Sequence, residues 1–252
     1  MRRSAVVFAG AVLLAACAPR ARPLRPTTAA ELLDALAARR GAVTSLRSRA
    51  RLRSGLSGVW IREALLVRRP DAVRVDVLSP FGLALAVGVR GDLLWAYPAA
   101  KGTRYEGPAT PANMVRVLGT PVAVADVVDV LLGVPPARDA IGPPLLAATR
   151  EGEYRLVLPL ADGTQTIWFA GDTLLVRRAE ETRRGGLVLR VAFDDYRDGF
   201  PHALDLSAEG RPSAHLAYDG VEANVALDAA LFAPPPAPRV LPLDAIPAAE
   251  SS

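Results

Sequence analysis

One residue of this chain is placed for a covalent chemistry of its own. Cys17 is the sole cysteine among 252 residues, and it follows Leu14-Ala15-Ala16. Small residues before a lone cysteine, at the end of an apolar run, look like a bacterial lipobox; the alternative is an ordinary cleaved signal with an incidental cysteine. In a lipobox the cysteine becomes the first mature residue and carries acyl chains on its sulfur and its amino group. Arg2 and Arg3 supply a positive n-region. Ala5 to Ala16 is an apolar stretch of 12 residues, too short to span a bilayer and suited to a signal-peptide core. With no second cysteine, an intrachain disulfide is excluded. Each buried methylene contributes only ~0.8 kcal/mol, so stable anchoring needs more than one chain, which a triacylated cysteine provides. Ala18 follows, where an Asp commonly retains lipoproteins at the inner membrane. The expectation is a lipid-anchored protein of the outer membrane, facing the periplasm.

The other chemistry-bearing residues do not assemble into a catalytic pattern. His202 and His215 lack neighbours at metal-ligand or triad spacing. Asp126 and Asp129 stand at i, i+3 on a predicted helix, the arrangement of a solvated face. Asp194-Asp195 lies beside a turn. Gly-rich phosphate loops and Cys/His clusters are absent. The expectation is a protein that is not an enzyme, with no cofactor and no metal. The net charge of +4 includes Arg2 and Arg3; without them 28 basic side chains face 26 acidic ones. Lys101 is the single lysine, so the Arg and Ala content reads as codon bias. Together with export, that argues against nucleic acid as a partner.

A different kind of signal lies in Leu78-Ser79-Pro80-Phe81-Gly82-Leu83. Val73, Val75 and Val77 alternate with polar residues before it, and Leu83, Leu85, Val87 and Val89 alternate with small residues after it. Period-2 alternation predicts two strands, and Pro80 and Gly82 predict the tight turn between them. Phe81 is then a large apolar residue at a turn tip. It either folds back onto the sheet or projects to meet something apolar.

The elements that position these residues can be read in order. Residues 1–16 form the signal peptide and 17–26 a Pro- and Arg-rich tether. Residues 27–233 form the folded domain and 234–252 a loose Pro-rich tail. Thr28-Ala29-Ala30-Glu31 is a capping box ahead of Leu32, Leu33 and Leu36. In residues 46–54 Leu46, Ser48, Ala50 and Leu52 share one strand face, and Arg47, Arg49, Arg51 and Arg53 the other, as a solvated face or an anion grip. Residues 59–69 are apolar on both faces, so either both are covered or a bulge switches the register. Strands over 92–98 and 103–106 complete the first meander.

The period then changes. Thr110-Pro111 opens a helix bearing Met114, Val117 and Leu118. A second helix carries Val124, Val127, Val128 and Leu131 and stops at Gly133. Strands resume from 145 to 218. The expected fold is mainly antiparallel β: a curled half-barrel sheet of about ten or eleven strands, its concave face covered by three short helices. So large a sheet under so small a cover leaves an apolar concavity, for which Trp60, Leu83, Leu85, Trp95, Tyr97 and Trp168 are the candidate lining; the alternative for each is ordinary core packing.

Three stretches resemble the LolB family of outer-membrane lipoprotein receptors, whose fold is shared with the periplasmic carrier LolA. They are the lipobox ending in Cys17, the strand and loop from Pro70 to Gly82, and residues 105–135. The last includes Leu118-Gly119-Thr120-Pro121 and Leu131-Leu132-Gly133-Val134-Pro135. The likeness covers 46–135 well and the C-terminal half by strand pattern alone. It implies a monomeric receptor that takes the acyl chains of lipoproteins from a LolA-like carrier into its half-barrel and inserts them into the outer membrane. Pro80, Phe81 and Gly82 occupy the family's membrane-insertion loop, where a protruding Leu serves release and Phe81 stands here. Met114, Val117, Leu118, Val127, Val128 and Leu131 fall on the lid helices. Residues 136–169 are longer than in the enterobacterial form. The alternative is an envelope lipoprotein of the same fold that binds lipid or assists assembly without transfer.

Overall fold

The computed structural model describes residues 24–55, 58–209 and 213–246. The signal peptide and Cys17 lie outside the described residues. A first meander runs β1 (Ser45–Ser54), β2 (Trp60–Arg68), β3 (Ala72–Ser79), β4 (Gly82–Arg90), β5 (Leu93–Pro98) and β6 (Thr103–Pro108). Two helices intervene. The second meander is β7 (Leu145–Ala148), β8 (Glu153–Leu160), β9 (Gly163–Ala170), β10 (Val176–Arg183), β11 (Gly186–Arg197), β12 (Phe200–Ala208) and β13 (Ala214–Ala223). β13 returns to pair antiparallel with β1, which fuses both meanders into one sheet.

The sheet has 14 strands rather than ten or eleven, ordered β14-β6-β5-β4-β3-β2-β1-β13-β12-β11-β10-β9-β8-β7. It does not close. β14 (Arg239–Pro242), which pairs parallel with β6, and β7 form its two edges. Both have four residues, which keeps the unpaired edges short. β14 lies in the segment expected to be a loose tail. That expectation is corrected: the segment completes the sheet at one edge, and Leu243 behind it is fully buried.

The sheet curls strongly. Arg69, just after β2, lines the same cavity as Leu158 of β8 and Gln165 of β9. In sheet order β8 lies seven strands from β2. At about 4.8 Å per strand a flat sheet would hold them roughly 30 Å apart. Accumulated strand twist brings the two wings toward each other.

The three helices cover one face. α1 (Ala29–Ala42) starts at the capping box, with Thr28 accepting from the Glu31 N–H and Glu31 accepting from the Thr28 N–H. α2 (Pro111–Leu118) is capped by Thr110 and ends at Gly119, whose φ of 79° is the left-handed region. α3 is Val124–Leu131. Leu32, Leu36, Met114 and Val128 from these helices share one core with Leu46, Leu65, Val73, Ile167 and Val191 from the sheet.

The other face of the first meander is also covered. Residues 225–235 run across it as a strap, and its carbonyls are caught by successive strands. Arg68 of β2 donates to Leu227 O, Arg74 of β3 to Leu231 O and Arg90 of β4 to Ala229 O. Trp95 of β5 donates to Phe232 O and Arg104 of β6 to Pro235 O. Beneath the strap Ala72, Leu227 and Phe232 form a second small core, with Leu66 packed against it. This explains the two apolar faces of β2. Both are covered, and its pairing with β1 and β3 runs without a bulge.

Candidate functional site

The helices do not extend over the whole inner face. Toward one end of the strands Leu65, Val67, Val73 and Val89 are buried. Toward the other, on the same face, Leu52, Ile61, Val75, Val77, Leu85 and Val87 are half-exposed. These side chains form an apolar groove across β1 to β4. Register fixes their common side: Leu52 pairs with Ile61, Leu65 with Val75, and Val75 with Val87. Where the groove meets α2 it deepens into a cavity of about 170 Å³, lined by Leu85, Val87, Ala96, Tyr105, Val117 and Ile246 among others.

The β3–β4 hairpin stands at the open end. Ser79 pairs with Gly82, leaving Pro80 and Phe81 as the turn. The Ser79 hydroxyl accepts from the Phe81 N–H at 3.2 Å and donates to Gly82 O at 3.0 Å. Gly82 takes φ 110°, a conformation other residues rarely adopt. The turn is thus held rigid by its own bonds. Phe81 on it is 100% exposed: it projects and does not fold back.

Among the expected lining residues, Leu85 lies on the groove face. Leu83 does not: the register shifts after Val77, so Leu83 pairs with Leu78 on the other side of the hairpin. Nor do the four aromatics. Trp60 pairs with Arg53 on the opposite, Arg-bearing face, is 40% exposed, and is flanked by Arg51, Arg53 and His215. Trp95 and Tyr97 pair with Gly88 and Ala86, on the strap side. Trp168 neighbours Arg155 and Arg178 in register, with the Arg178 guanidinium 4.0 Å above its ring. Strand parity assigns residues to one of two faces but does not say which is hollow. Mostly aliphatic residues line the groove instead, with Tyr105 at its deep end.

The helices expected to form a lid are tied down by charge as well as by packing. Met114 and Val128 are buried, and Val117, Val127 and Leu131 are half-buried against the core. Leu118 is largely outside it, at 43% exposure. Asp129, expected on the solvated face of α3, is buried. It accepts from Arg40 of α1 and from Arg69 at the β2–β3 turn, so one carboxylate joins two helices to the sheet. Arg138 joins Asp126 at 2.7 Å to Glu181 of β10 at 2.7 Å. These two acids hold its guanidinium charged, well above the usual value. Between these pairs lies a second cavity of about 520 Å³, bounded by Leu33, Leu36, Arg40, Arg69, Arg138 and Leu158 among others. On the outer face Arg51 pairs with Asp219 and Arg47 with Glu222.

Sequence reasoning missed Glu63. It fills the inward slot between Ile61 and Leu65 on β2, opposite Ala50 and Val77, and is 7% exposed. Desolvation raises its carboxyl to about 7. The signal was present: an acid at the phase of the apolar side chains on an otherwise alternating strand.

No family model and no curated protein matches this sequence. Solved structures do. A LolA superfamily protein from Nitrosomonas europaea superposes with a TM-score of 0.55 at 13% identity, covering 83% of this chain and 99% of its own. This is the LolA/LolB fold. A putative outer membrane lipoprotein-sorting protein domain from Vibrio parahaemolyticus aligns with TM-score 0.50 at 12% identity, over 80% of this chain and 94% of that one. A DUF1329 family protein from Desulfovibrio piger aligns with TM-score 0.52 at 14% identity, over 81% and 95%. At such identities the likeness is one of architecture. On this fold, the candidate site of this chain is the groove with Phe81 at its mouth.

Proposed function

We propose that this protein is a lipoprotein receptor. Anchored in the outer membrane through an acylated Cys17, it takes the acyl chains of a lipoprotein from a LolA-like periplasmic carrier into the groove over β1 to β4. It then passes them to the bilayer. The observation that supports this reading is the wholly exposed Phe81 at the mouth of a half-open aliphatic groove. Acyl chains are held by area and not by direction, so aliphatic walls suffice to bind them. A rigid apolar tip beside the groove gives the chains a continuous apolar path into lipid, with Phe81 acting at release and not at binding.

The anchor adds a geometric condition. Leu24, the first described residue, packs on Gly171 after β9, at the end of the sheet opposite to Phe81. Cys17 can stand at most roughly 25 Å from Leu24, whereas the eight residues of β9 alone span about 27 Å. Anchor and tip can share one leaflet when the strands lie along the membrane and not upright on it.

Replacing Phe81 with Glu tests the proposal. The variant should fold and localise as the wild type does, while a radiolabelled lipoprotein presented on the carrier stays out of the outer membrane. Normal lipoprotein sorting in cells carrying that variant, or in cells depleted of the protein, would overturn the receptor reading.

A further inference from the structure

The floor of the groove holds a buried carboxyl that the receptor reading does not use. Glu63 lies on its floor, nine-tenths buried, in the cross-strand row Tyr218, Ala50, Glu63, Val77, Leu85, Pro98. Along its own strand it stands between half-exposed Ile61 and buried Leu65, where the helical cover gives way to the open groove. Among the described residues none hydrogen-bonds or ion-pairs with its carboxyl. Tyr218 is the ionisable group that shares its row, but the Tyr218 hydroxyl is committed to Leu131 O at 2.9 Å. An unpaired acid in apolar surroundings is costly, and a core leucine would be more stable there. A carboxyl kept in such a place has a use for a polar partner that arrives from outside.

We propose that Glu63 binds the head of the bound acyl chains, donating a hydrogen bond to the ester or amide carbonyl at which an acyl chain joins its lipoprotein. This deepens the receptor reading and rests on it. The walls fit hydrocarbon anywhere along their length, so they bind without fixing how far a chain enters. A single donor at the floor sets that register: the carbonyl stops at Glu63 and the chain runs on along Val77 and Leu85 toward the cavity under α2. The ligand class has carbonyl acceptors and no cation at this position, which suits a neutral carboxyl. Burial favours that neutral form up to about pH 7.

The test is a competition. The full-length protein is presented with equal amounts of two synthetic lipopeptides of the same tail length, one with two palmitoyl esters and the other with two hexadecyl ethers, and the bound ratio is read by native mass spectrometry. Detergent competes equally with both and cancels in the ratio. The wild type and Glu63→Gln, which keeps a donor, should favour the ester about tenfold, and Glu63→Leu should favour neither. Absence of preference in the wild type, or a preference that survives in Glu63→Leu, overturns the role of Glu63 and leaves the receptor reading standing. Failure of the wild type to hold either lipopeptide overturns both.

Discussion

The indole of Trp95 lies against Gly88 of the neighbouring strand, so close that a methyl group on Gly88 would fall 2.3 Å from the ring. On its other side the strap passes, with Phe232 O accepting from the indole N–H at 3.2 Å. Trp95 is therefore a core residue of the strap face, remote from the groove. Gly88→Ala should cost about 1–3 kcal/mol through overpacking, seen as a lower denaturant midpoint, with the ester-to-ether binding ratio unchanged.

The strap should behave as part of the fold. Phe232 is fully buried and the Arg68 guanidinium stacks over its ring at 5.0 Å. Phe232→Ala should lower stability by about 3–5 kcal/mol. Limited proteolysis of that variant should cut within residues 225–235, which the wild type protects.

Glu63 predicts a pH dependence with a definite sign. In the unfolded chain its carboxyl has the ordinary value of 4.5, and in the fold burial raises it to about 7. Below the lower value both states are neutral. Between the two the unfolded chain ionises while the folded one keeps its proton, so stability falls as pH rises through this window. Above about 7 the loss is complete, at about 3 kcal/mol. Denaturation midpoints at pH 4.5 and 8 should show this slope in the wild type, and Glu63→Gln should remove its share.

Asp129 makes a further prediction. Its side chain is 5% exposed and holds two guanidiniums at once, those of Arg40 and Arg69. Asp129→Ala leaves both cations half-buried without their counter-charge and should cost about 3–5 kcal/mol. Hydrogen exchange should locate the loosening in α1 and α3 before the sheet.

Much of this protein is local, and local features were legible. The capping box at Thr28, the Pro at the start of α2, the Pro80-Phe81 turn and the alternation of β1 each depend on neighbours within four residues. Each is where the residues place it. The strap was not legible, because its bonds link residues 131 to 159 positions apart through backbone carbonyls, which every sequence has. Asp129 was misread for the same reason: helical spacing places it on a polar stripe, and only the arrival of Arg40 and Arg69 makes that stripe interior.

By itself the sequence determined that strands with period-2 faces would form two meanders around a helical insert, and that a Phe would stand on a tight turn between two of them. Those outcomes follow from backbone sterics and from the need of each apolar face for cover. Only the tertiary structure decided which face is hollow. Both faces of the first meander are apolar in parts, and the choice depends on where two distant segments lie. The strap closes the face bearing Trp95 and Tyr97, while α1 to α3 leave the other half open. The difference is one of coverage, which belongs to the packed chain and not to any strand. It leaves Leu85 on the open groove, makes Trp95 core, and turns Glu63 from an ordinary surface acid into a buried acid on the groove floor.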